Sequence, residues 1–290
     1  MGLVGSISGL ALWVVWLGKP MRDRFAEPRP ALVETRREPW ESGEAVELIA
    51  ADGLEIRLGV VRDTRHDLPR PVAVVLGGHR TGRGAIRLVG DPGPIAVVAV
   101  DYPYDGPDRI RGVRQALQEA PGMREALLNT PRAIFQAMDW VLTQPWADPQ
   151  RIELVGVSLG VPFVAVAGAS DARFSRVWLI QGAADNSVWI ERNLRRKIGS
   201  AWLRHGATWT VHRLAHGSSF DTAEWIARIA PRPVVVVGAS EDQSLPREQV
   251  EGLYAAAGEP RELIWVPGGH INPRRPETVR PILELVRARL

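Results

Sequence analysis

The sequence predicts a doubly wound α/β domain, with a mostly parallel sheet of about eight strands and a small helical cap. The first observation is a set of short β-branched runs without polar alternation, which is typical of strands buried on both faces of a parallel sheet. These runs occupy residues 71–76, 95–100, 151–157, 176–182, 233–238 and 261–266. The second observation is that stretches with helical spacing lie between the runs, and this alternation favours a doubly wound sheet.

An antiparallel hairpin is predicted before the parallel strands. Polar and apolar residues alternate at 45–50 and 55–62, and the Asp-Gly dipeptide at 52–53 is a hairpin signal. One helix is predicted to start at Thr130-Pro131, because threonine is a good N-cap and proline suits the first helical position. Further helices are predicted at 159–169, 246–257 and 276–289.

One domain, at 44–290, accounts for most of the chain of 290 residues. Residues 186–230 form a longer connection than two strands usually need, and they hold several tryptophans among many arginines. We expect this segment to form a helical cap over the carboxyl edge of the sheet, where its tryptophans would favour an apolar acyl or alcohol group.

The first 18 residues are apolar, and residues 2–18 carry no charged side chain before Lys19 and the arginines that follow. This pattern predicts a single-pass membrane anchor, and the positive charges after it predict a cytoplasmic domain. An export signal, a segment that packs on the domain and a soluble cytoplasmic protein are the alternatives. Residues 19–43 are rich in Arg, Glu and Pro, and they are interpreted as a polar linker or an arm on the domain surface.

The composition excludes several classes of chemistry. The chain has no cysteine, so disulfides, thiolate catalysis and cysteine-based metal sites are excluded. Its net charge of +3 is dispersed and of mixed sign, whereas a nucleic-acid-binding protein more often shows a basic stripe. No nucleic-acid partner, metal or organic cofactor is expected.

The stretch ELVGVSLGVP, residues 153–162, places Ser158 between Gly156 and Gly160. A predicted strand ends just before the serine and a predicted helix begins just after it. This strand–turn–helix setting is the one that a G-x-S-x-G nucleophile elbow requires, since the glycines leave room for a sharp turn. A glycine-flanked turn with a spectator serine is the alternative.

A serine nucleophile needs a base and a carboxylate that orients the base. Asp242 lies in the loop after the strand at 233–238, and His270 lies in the loop after the strand at 261–266. Both therefore follow carboxyl ends of predicted parallel strands, as Ser158 does, and such ends gather catalytic groups. Asp185 is the alternative acid and His216 the weaker alternative base; Asp242 and His270 are favoured.

From about residue 45 to its end, the chain resembles the α/β-hydrolase superfamily, and within it the serine esterases and peptidases that include dienelactone-hydrolase-like and serine-aminopeptidase-like members. The residues that carry the resemblance are GVSLG at 156–160, the Gly238…Asp242…Pro246 loop and Gly269-His270. Dienelactone hydrolases usually carry a cysteine nucleophile, which this chain lacks, so their substrate is not carried over.

The resemblance also implies an oxyanion hole made by two backbone N–H groups. Leu159, which follows the serine, would supply one of them. The other is expected from Gly78 or His79 in LGGHRTG, where family members often show His-Gly rather than Gly-Gly-His.

Two further groups of residues are candidates for substrate contacts. Arg80, with Arg83 and Arg87, either holds an anionic group of the substrate or forms a solvated helix face, and the second interpretation is favoured. Tyr102 or Tyr104, after the strand at 95–100, is a candidate for the pocket wall.

These observations predict a serine hydrolase that cleaves a small-molecule carboxylic ester through an acyl-enzyme. Ser158 would be the nucleophile, His270 the general base and acid, and Asp242 the residue that orients the histidine. A serine peptidase and a thioesterase or acyltransferase remain as alternatives on the same triad, and a non-catalytic binding protein is a third, less favoured one.

Overall fold

The computed structural model describes residues 14–16, 18–65, 68–78, 81–107, 109–195 and 197–290. Within these ranges one sheet of nine strands is found. The strands are β1 (Leu32–Trp40), β2 (Gly43–Ala50), β3 (Glu55–Arg62), β4 (Arg70–Leu76), β5 (Ala96–Val100), β6 (Ala147–Val157), β7 (Arg176–Ile180), β8 (Val234–Ala239) and β9 (Arg261–Val266). The predicted fold class is confirmed, with one strand more than the expected eight.

The sheet has the order β1-β2-β3-β5-β4-β6-β7-β8-β9. The pairs β1–β2, β2–β3 and β3–β5 are antiparallel, and all pairs from β5 through β4 to β9 are parallel. The carboxyl ends of β4, β6, β7, β8 and β9 therefore meet along one edge of the sheet. This edge carries the loops with the predicted site residues.

Helices cover both faces of the sheet and follow the strands in alternation. They are α1 (Ile86–Val89), α2 (Gly112–Val141), α3 (Val161–Ser170), α4 (Asn186–Arg195), α5 (Ala201–Leu214), α6 (Thr222–Ile226), α7 (Arg247–Ala256) and α8 (Pro276–Arg287). The expected helix start at Thr130 is wrong, because α2 begins at Gly112 and continues through Pro121 and Pro131. The Thr130 hydroxyl is buried and donates to the Ala126 carbonyl one turn earlier, so it does not cap a helix.

Side chains alternate between two cores along the parallel strands. Val72, Val74 and Leu76 of β4 belong to the larger core, which also contains residues of α2 and α3. Ala73, on the opposite face of the same strand, belongs to a smaller core that contains residues of α1 and α8. The period of two in a strand produces this division, and it decides which residues adjoin the site.

The segment 19–43 differs from the expected linker or arm, because residues 32–40 form strand β1 at the edge of the sheet. Most side chains of β1 are exposed, and only its end residues Leu32 and Trp40 are half-buried. Backbone hydrogen bonds to β2 hold the strand, so no apolar alternation marks it in the sequence. Phe25, just before it, is buried against Phe220 and Trp225.

The prediction of a membrane-spanning anchor, and of a membrane location derived from it, is wrong. In the part of the chain that the structure describes, no helix is both long and apolar enough to cross a bilayer. Most of the predicted anchor, residues 1–13 and 17, lies outside that part. Its described end packs on the domain: Val14 is buried, and the Ser218 hydroxyl donates to the Gly18 carbonyl over 3.3 Å.

Candidate active site

Ser158 occupies a strained turn between β6 and α3. Its φ angle is 53°, in the left-handed region that non-glycine residues rarely adopt. A Cβ on Gly160 would lie 2.3 Å from the Leu76 carbonyl oxygen, and a Cβ on Gly156 would lie 2.8 Å from the Val164 Cβ. The two glycines therefore let the turn approach β4 on one side and α3 on the other, and the serine is held at the edge of the sheet.

Three predicted residues are joined by hydrogen bonds at this edge. The Ser158 Oγ lies 2.9 Å from the His270 Nε2, and the His270 Nδ1 lies 2.6 Å from the Asp242 Oδ2. The Asp242 side chain is only 5% exposed. Its other oxygen, Oδ1, accepts the backbone N–H groups of Ser244 at 2.7 Å and Leu245 at 3.0 Å, which fix the carboxylate.

The loop with Asp242 is bound to the loop with His270. β8 and β9 are parallel neighbours, and beyond their ends the Glu241 N–H donates to the Gly268 carbonyl over 2.9 Å. The acid and the histidine thus come from adjacent loops that share a backbone bond. Their relative position is set by the sheet and not by the side chains alone.

Gln181 is a site residue that the sequence analysis missed. It directly follows β7 with a φ of 52°, is 2% exposed, and its Oε1 accepts the Ile271 N–H over 2.6 Å. A polar residue directly after the apolar run VWLI at 177–180 is the signal that could have found it. Gln181 thereby anchors the residue that follows His270.

This arrangement determines which ring nitrogen of the neutral His270 side chain carries the hydrogen. Nδ1 faces a carboxylate that has only acceptor atoms, so it carries the hydrogen of that bond. Nε2 of the neutral ring is then an acceptor, and it faces the Ser158 hydroxyl. The geometry therefore allows a proton to pass from the hydroxyl to the imidazole, with the charge of Asp242 stabilising the imidazolium.

The alternative acid and base lie elsewhere. Asp185 is exposed, and its Oδ1 accepts the Ser187 N–H over 2.8 Å at the start of α4. His216 is 5% exposed and follows α5; burial is the main cause that lowers its pKa to about 4. The hydrogen bonds of the His270 ring join it to Asp242 and Ser158 instead.

The loop after β4 lies directly against Ser158. A Cβ on Gly78 would be 3.6 Å from the Ser158 Cβ, so the Gly78 backbone borders the site. Leu159 is the second residue of the short helical segment Ser158–Gly160, and N–H groups in the first turn of a helix have no partner within the helix. His79 and Arg80, the other candidates from this loop, lie outside the described residues.

Tyr102 holds the loop after β4 through a hydrogen bond to its backbone. Its hydroxyl donates to the Gly77 carbonyl over 2.8 Å, and its ring packs edge-on against Phe163. Burial, with a smaller contribution from Asp101, raises the pKa of Tyr102 and keeps the hydroxyl protonated as a donor. Tyr102 was expected to line the pocket, but it is not among the residues that line the cavity beside Ser158.

The two described arginines of the predicted cluster lie away from Ser158. Arg83 and Arg87 both stack on Trp40, with guanidinium-to-ring distances of 5.0 and 5.1 Å, and Arg87 pairs with Glu41 at 2.8 Å. Tyr104 donates to Glu119. Neither Arg83 nor Arg87 is among the described residues that line the cavity beside Ser158.

A cavity of about 510 Å³ opens beside Ser158 and His270. Trp189 and Arg192 of α4, with Gln243, form part of its wall near the serine. The rest of the wall is predominantly apolar and extends from the carboxyl edge into the domain. Its volume is within the range of small-molecule sites, which are about 300–1,000 Å³.

Several solved structures are similar to this protein over most of its length. No family model matches the chain. An acetyl xylan esterase from Paenibacillus sp. R4 superposes with a TM-score of 0.59 at 20% identity, covering 94% of this chain and 93% of that one. The α/β hydrolase GrgF from Penicillium sp. sh18 superposes with a TM-score of 0.54 at 17% identity, covering 88% of this chain and 98% of that one. The chain has the α/β-hydrolase fold. A glucuronoyl esterase from Solibacter usitatus shares it, with a TM-score of 0.58 at 15% identity and coverage of 92% and 91%.

One sequence relative matches most of the chain. The uncharacterized protein YfhR of Escherichia coli O157:H7 is 23% identical over 244 residues, and the match covers 81% of this chain and 75% of the relative. In the α/β-hydrolase fold, nucleophile, acid and histidine follow one another along the chain at the carboxyl edge of the sheet. Ser158, Asp242 and His270 have that order and that position.

Proposed function

We propose that the protein is a serine hydrolase that cleaves a small-molecule carboxylic ester through an acyl-enzyme. The observation that carries the proposal is the unbroken path of contacts from the Ser158 Oγ through both ring nitrogens of His270 to the buried carboxylate of Asp242. The esterases among the proteins with the same fold support the choice of an ester over other acyl compounds.

In the first half of the reaction, the Ser158 Oγ attacks the ester carbonyl carbon while His270 Nε2 accepts the hydroxyl proton. Asp242 holds the imidazole in the required orientation and stabilises its positive charge. The tetrahedral intermediate then collapses, the bond to the alcohol oxygen breaks, and His270 returns its proton to that oxygen. The products of this half are an acyl-serine and a free alcohol.

The negative charge on the intermediate needs donors that are already in place. We assign these to the backbone N–H groups of Leu159 and of the loop that contains Gly78. The first is supported by its position in the opening turn of the helical segment, and the second by the contact between Gly78 and the serine. Such donors stabilise the charge that appears only after attack.

In the second half, a water molecule attacks the acyl-serine, and His270 takes its proton. The intermediate collapses with Ser158 as the leaving group, which regains its proton from His270. The acid leaves and the starting state is restored. In both halves of the reaction, His270 Nε2 takes a proton from the attacking oxygen and returns it to the leaving oxygen. A single histidine therefore serves both halves.

The test is steady-state hydrolysis of p-nitrophenyl acetate by the wild type, Ser158→Ala and Ser170→Ala. Ser170 is an exposed serine at the end of α3, and its replacement is the matched control. Ser158→Ala is expected to lower kcat by at least about 1,000-fold, since the remaining groups cannot form an acyl-enzyme. Equal turnover by Ser158→Ala and Ser170→Ala would reject the proposed nucleophile.

A further inference from the structure

The cavity beside Ser158 does not end at the carboxyl edge of the sheet. Among the residues that line it are Ala73 and Val75 of β4, Val97 of β5 and Val155 of β6. These strands are neighbours, and the register pairs Ala73 with Val97 and Val75 with Val155. All four side chains therefore lie on one face of the sheet, which forms one wall of the cavity.

The opposite wall is made by the helices that cover this face. Leu88 of α1 and Val279, Ile282 and Leu283 of α8 line the cavity there. The cavity is thus a channel inside the smaller core, between the sheet and two helices. Protein interiors normally have few voids larger than a water molecule, so the extension of this cavity of about 510 Å³ into the core layer is an unusual feature of the fold.

The length of the channel follows from the strand geometry. Gly77 lines it next to the nucleophile and Ala73 lines it farther along β4, and four residues of a strand span about 13 Å. Carbon–carbon bonds of about 1.5 Å at angles of about 111° advance about 1.25 Å each along an extended chain. The channel therefore matches a chain of roughly ten carbon atoms.

The far end of the channel is lined by α8. Arg287 lies there, and its guanidinium donates to the Val89 carbonyl over 2.6 Å and to the Asp91 carbonyl. These bonds join the end of α8 to the chain after α1, on the side where β5 begins.

Resting on the proposed function, we propose that the channel binds the acyl chain of the ester, and that the substrates are esters of straight aliphatic acids of about ten carbons. The depth of the channel decides between acyl and alcohol. An alcohol released into it would lie between the sheet and two helices, behind the acyl-serine, whereas an acyl chain there leaves the outer side free for alcohol to depart and water to enter. The apolar walls suit an aliphatic chain, because empty apolar cavities take up apolar guests and not water.

The first experiment compares two isomers, ethyl decanoate and decyl acetate, with the wild-type protein. Their composition is the same, but only the first places the long chain on the acyl side. Ethyl decanoate is expected to have a kcat/KM at least about ten-fold higher, since each buried methylene contributes to binding of the transition state. A preference for decyl acetate, or equal values, would overturn the assignment of the channel to the acyl chain.

The second experiment fills the channel at two depths. Ala73→Leu narrows it deep in the sheet, and Val75→Phe narrows it two residues, or about 6.6 Å, closer to the serine. Val74→Leu, on the opposite face of the same strand, is the control. The readout is the ratio of kcat/KM for p-nitrophenyl decanoate to that for the acetate, so a general loss of activity cancels within each variant.

The wild-type ratio is expected to be about 100 or more, because burial of each methylene raises kcat/KM by up to about four-fold. Ala73→Leu should lower this ratio by at least about ten-fold, and Val75→Phe should lower it further and shift the preferred acid to a shorter chain. Val74→Leu should keep the wild-type ratio. If one variant does not fold, the other variant and the isomer comparison still decide the question.

Two failures are distinguishable. If p-nitrophenyl acetate is hydrolysed in a Ser158-dependent way but chain length and the channel variants have no effect, the acyl channel is rejected and the proposed function stands. If no ester of any length is hydrolysed by the folded protein, the proposed function fails and the acyl channel fails with it.

Discussion

Gly160→Ala tests the close approach between β4 and the turn that holds Ser158. The added Cβ would lie 2.3 Å from the Leu76 carbonyl oxygen and 3.1 Å from the Gly77 carbonyl oxygen. Both are backbone atoms that cannot rotate aside, so the elbow must move by about 1 Å, which costs about 1–3 kcal/mol as overpacking. The higher helix propensity of alanine offsets up to about 1 kcal/mol of this. A net loss of about 1–2 kcal/mol in the free energy of unfolding is expected.

The same movement separates the serine from the loop that contains Gly78, so kcat for p-nitrophenyl acetate should fall roughly 100-fold. Gly206→Ala is the matched control: Gly206 lies within α5, and a Cβ there would meet nothing within 4 Å. This control should raise the free energy of unfolding by up to about 1 kcal/mol and leave kcat unchanged. Urea unfolding and steady-state kinetics of the two variants give both quantities. A Gly160→Ala variant as stable and as active as the wild type would refute the reasoning.

Three further predictions concern the residues around the histidine and a buried imidazole. Asp242→Asn should lower kcat by about 10⁴-fold through loss of the required tautomer, whereas Asp185→Asn should leave it little changed; equal effects in the ester assay would contradict the assignment. Gln181→Leu removes the acceptor that anchors the loop with His270, so kcat should fall roughly ten-fold or more, and an unchanged kcat in the folded variant would oppose this. Burial lowers the pKa of His216 to about 4, below about 6.5 in the unfolded chain, so the unfolded state binds the proton first as the pH falls. The contribution of His216 to the free energy of unfolding is therefore fully present above pH 6.5 and is lost as the pH falls towards 4. Between pH 7 and 5 the free energy of unfolding should decrease by about 2 kcal/mol. Urea unfolding of His216→Asn should lack that loss, and an equal pH slope in both proteins would contradict it.

The parallel strands and the order of site residues were predictable because they depend on local patterns. Strands buried on both faces must be continuously apolar, and runs such as PVAVVL and PVVVVG have few other interpretations. The loops after such strands meet at one edge, so Ser158, Asp242 and His270 could be placed together before any distance was known.

The features that were missed depend on tertiary contacts. Strand β1 is mostly exposed, so its residues show no apolar alternation, and pairing with β2 defines it. Thr130-Pro131 has the composition of a helix start, but the packing of α2 carries the helix through both residues. The apolar run at the N-terminus suggested an anchor, since hydropathy alone does not show that Val14 packs on the domain.

The channel could not be inferred from the sequence for a related reason. Ala73 in β4 looks like an ordinary small residue of a buried strand. Only the packing of α1 and α8 against that face shows that the space beside it is left unfilled. Voids arise from the mismatch between layers, which no local pattern records.

The most direct test of the central claim is covalent labelling of the folded protein with a fluorophosphonate, followed by mass spectrometry of the labelled peptide. Such a reagent reacts with a serine that a neighbouring base has activated. The wild-type protein is expected to form a single adduct, on Ser158. Asp242→Asn should form the same adduct more slowly, and Ser158→Ala should form none. An adduct on another residue, or a folded wild-type protein that stays unlabelled, would contradict the claim that Ser158 is an activated nucleophile.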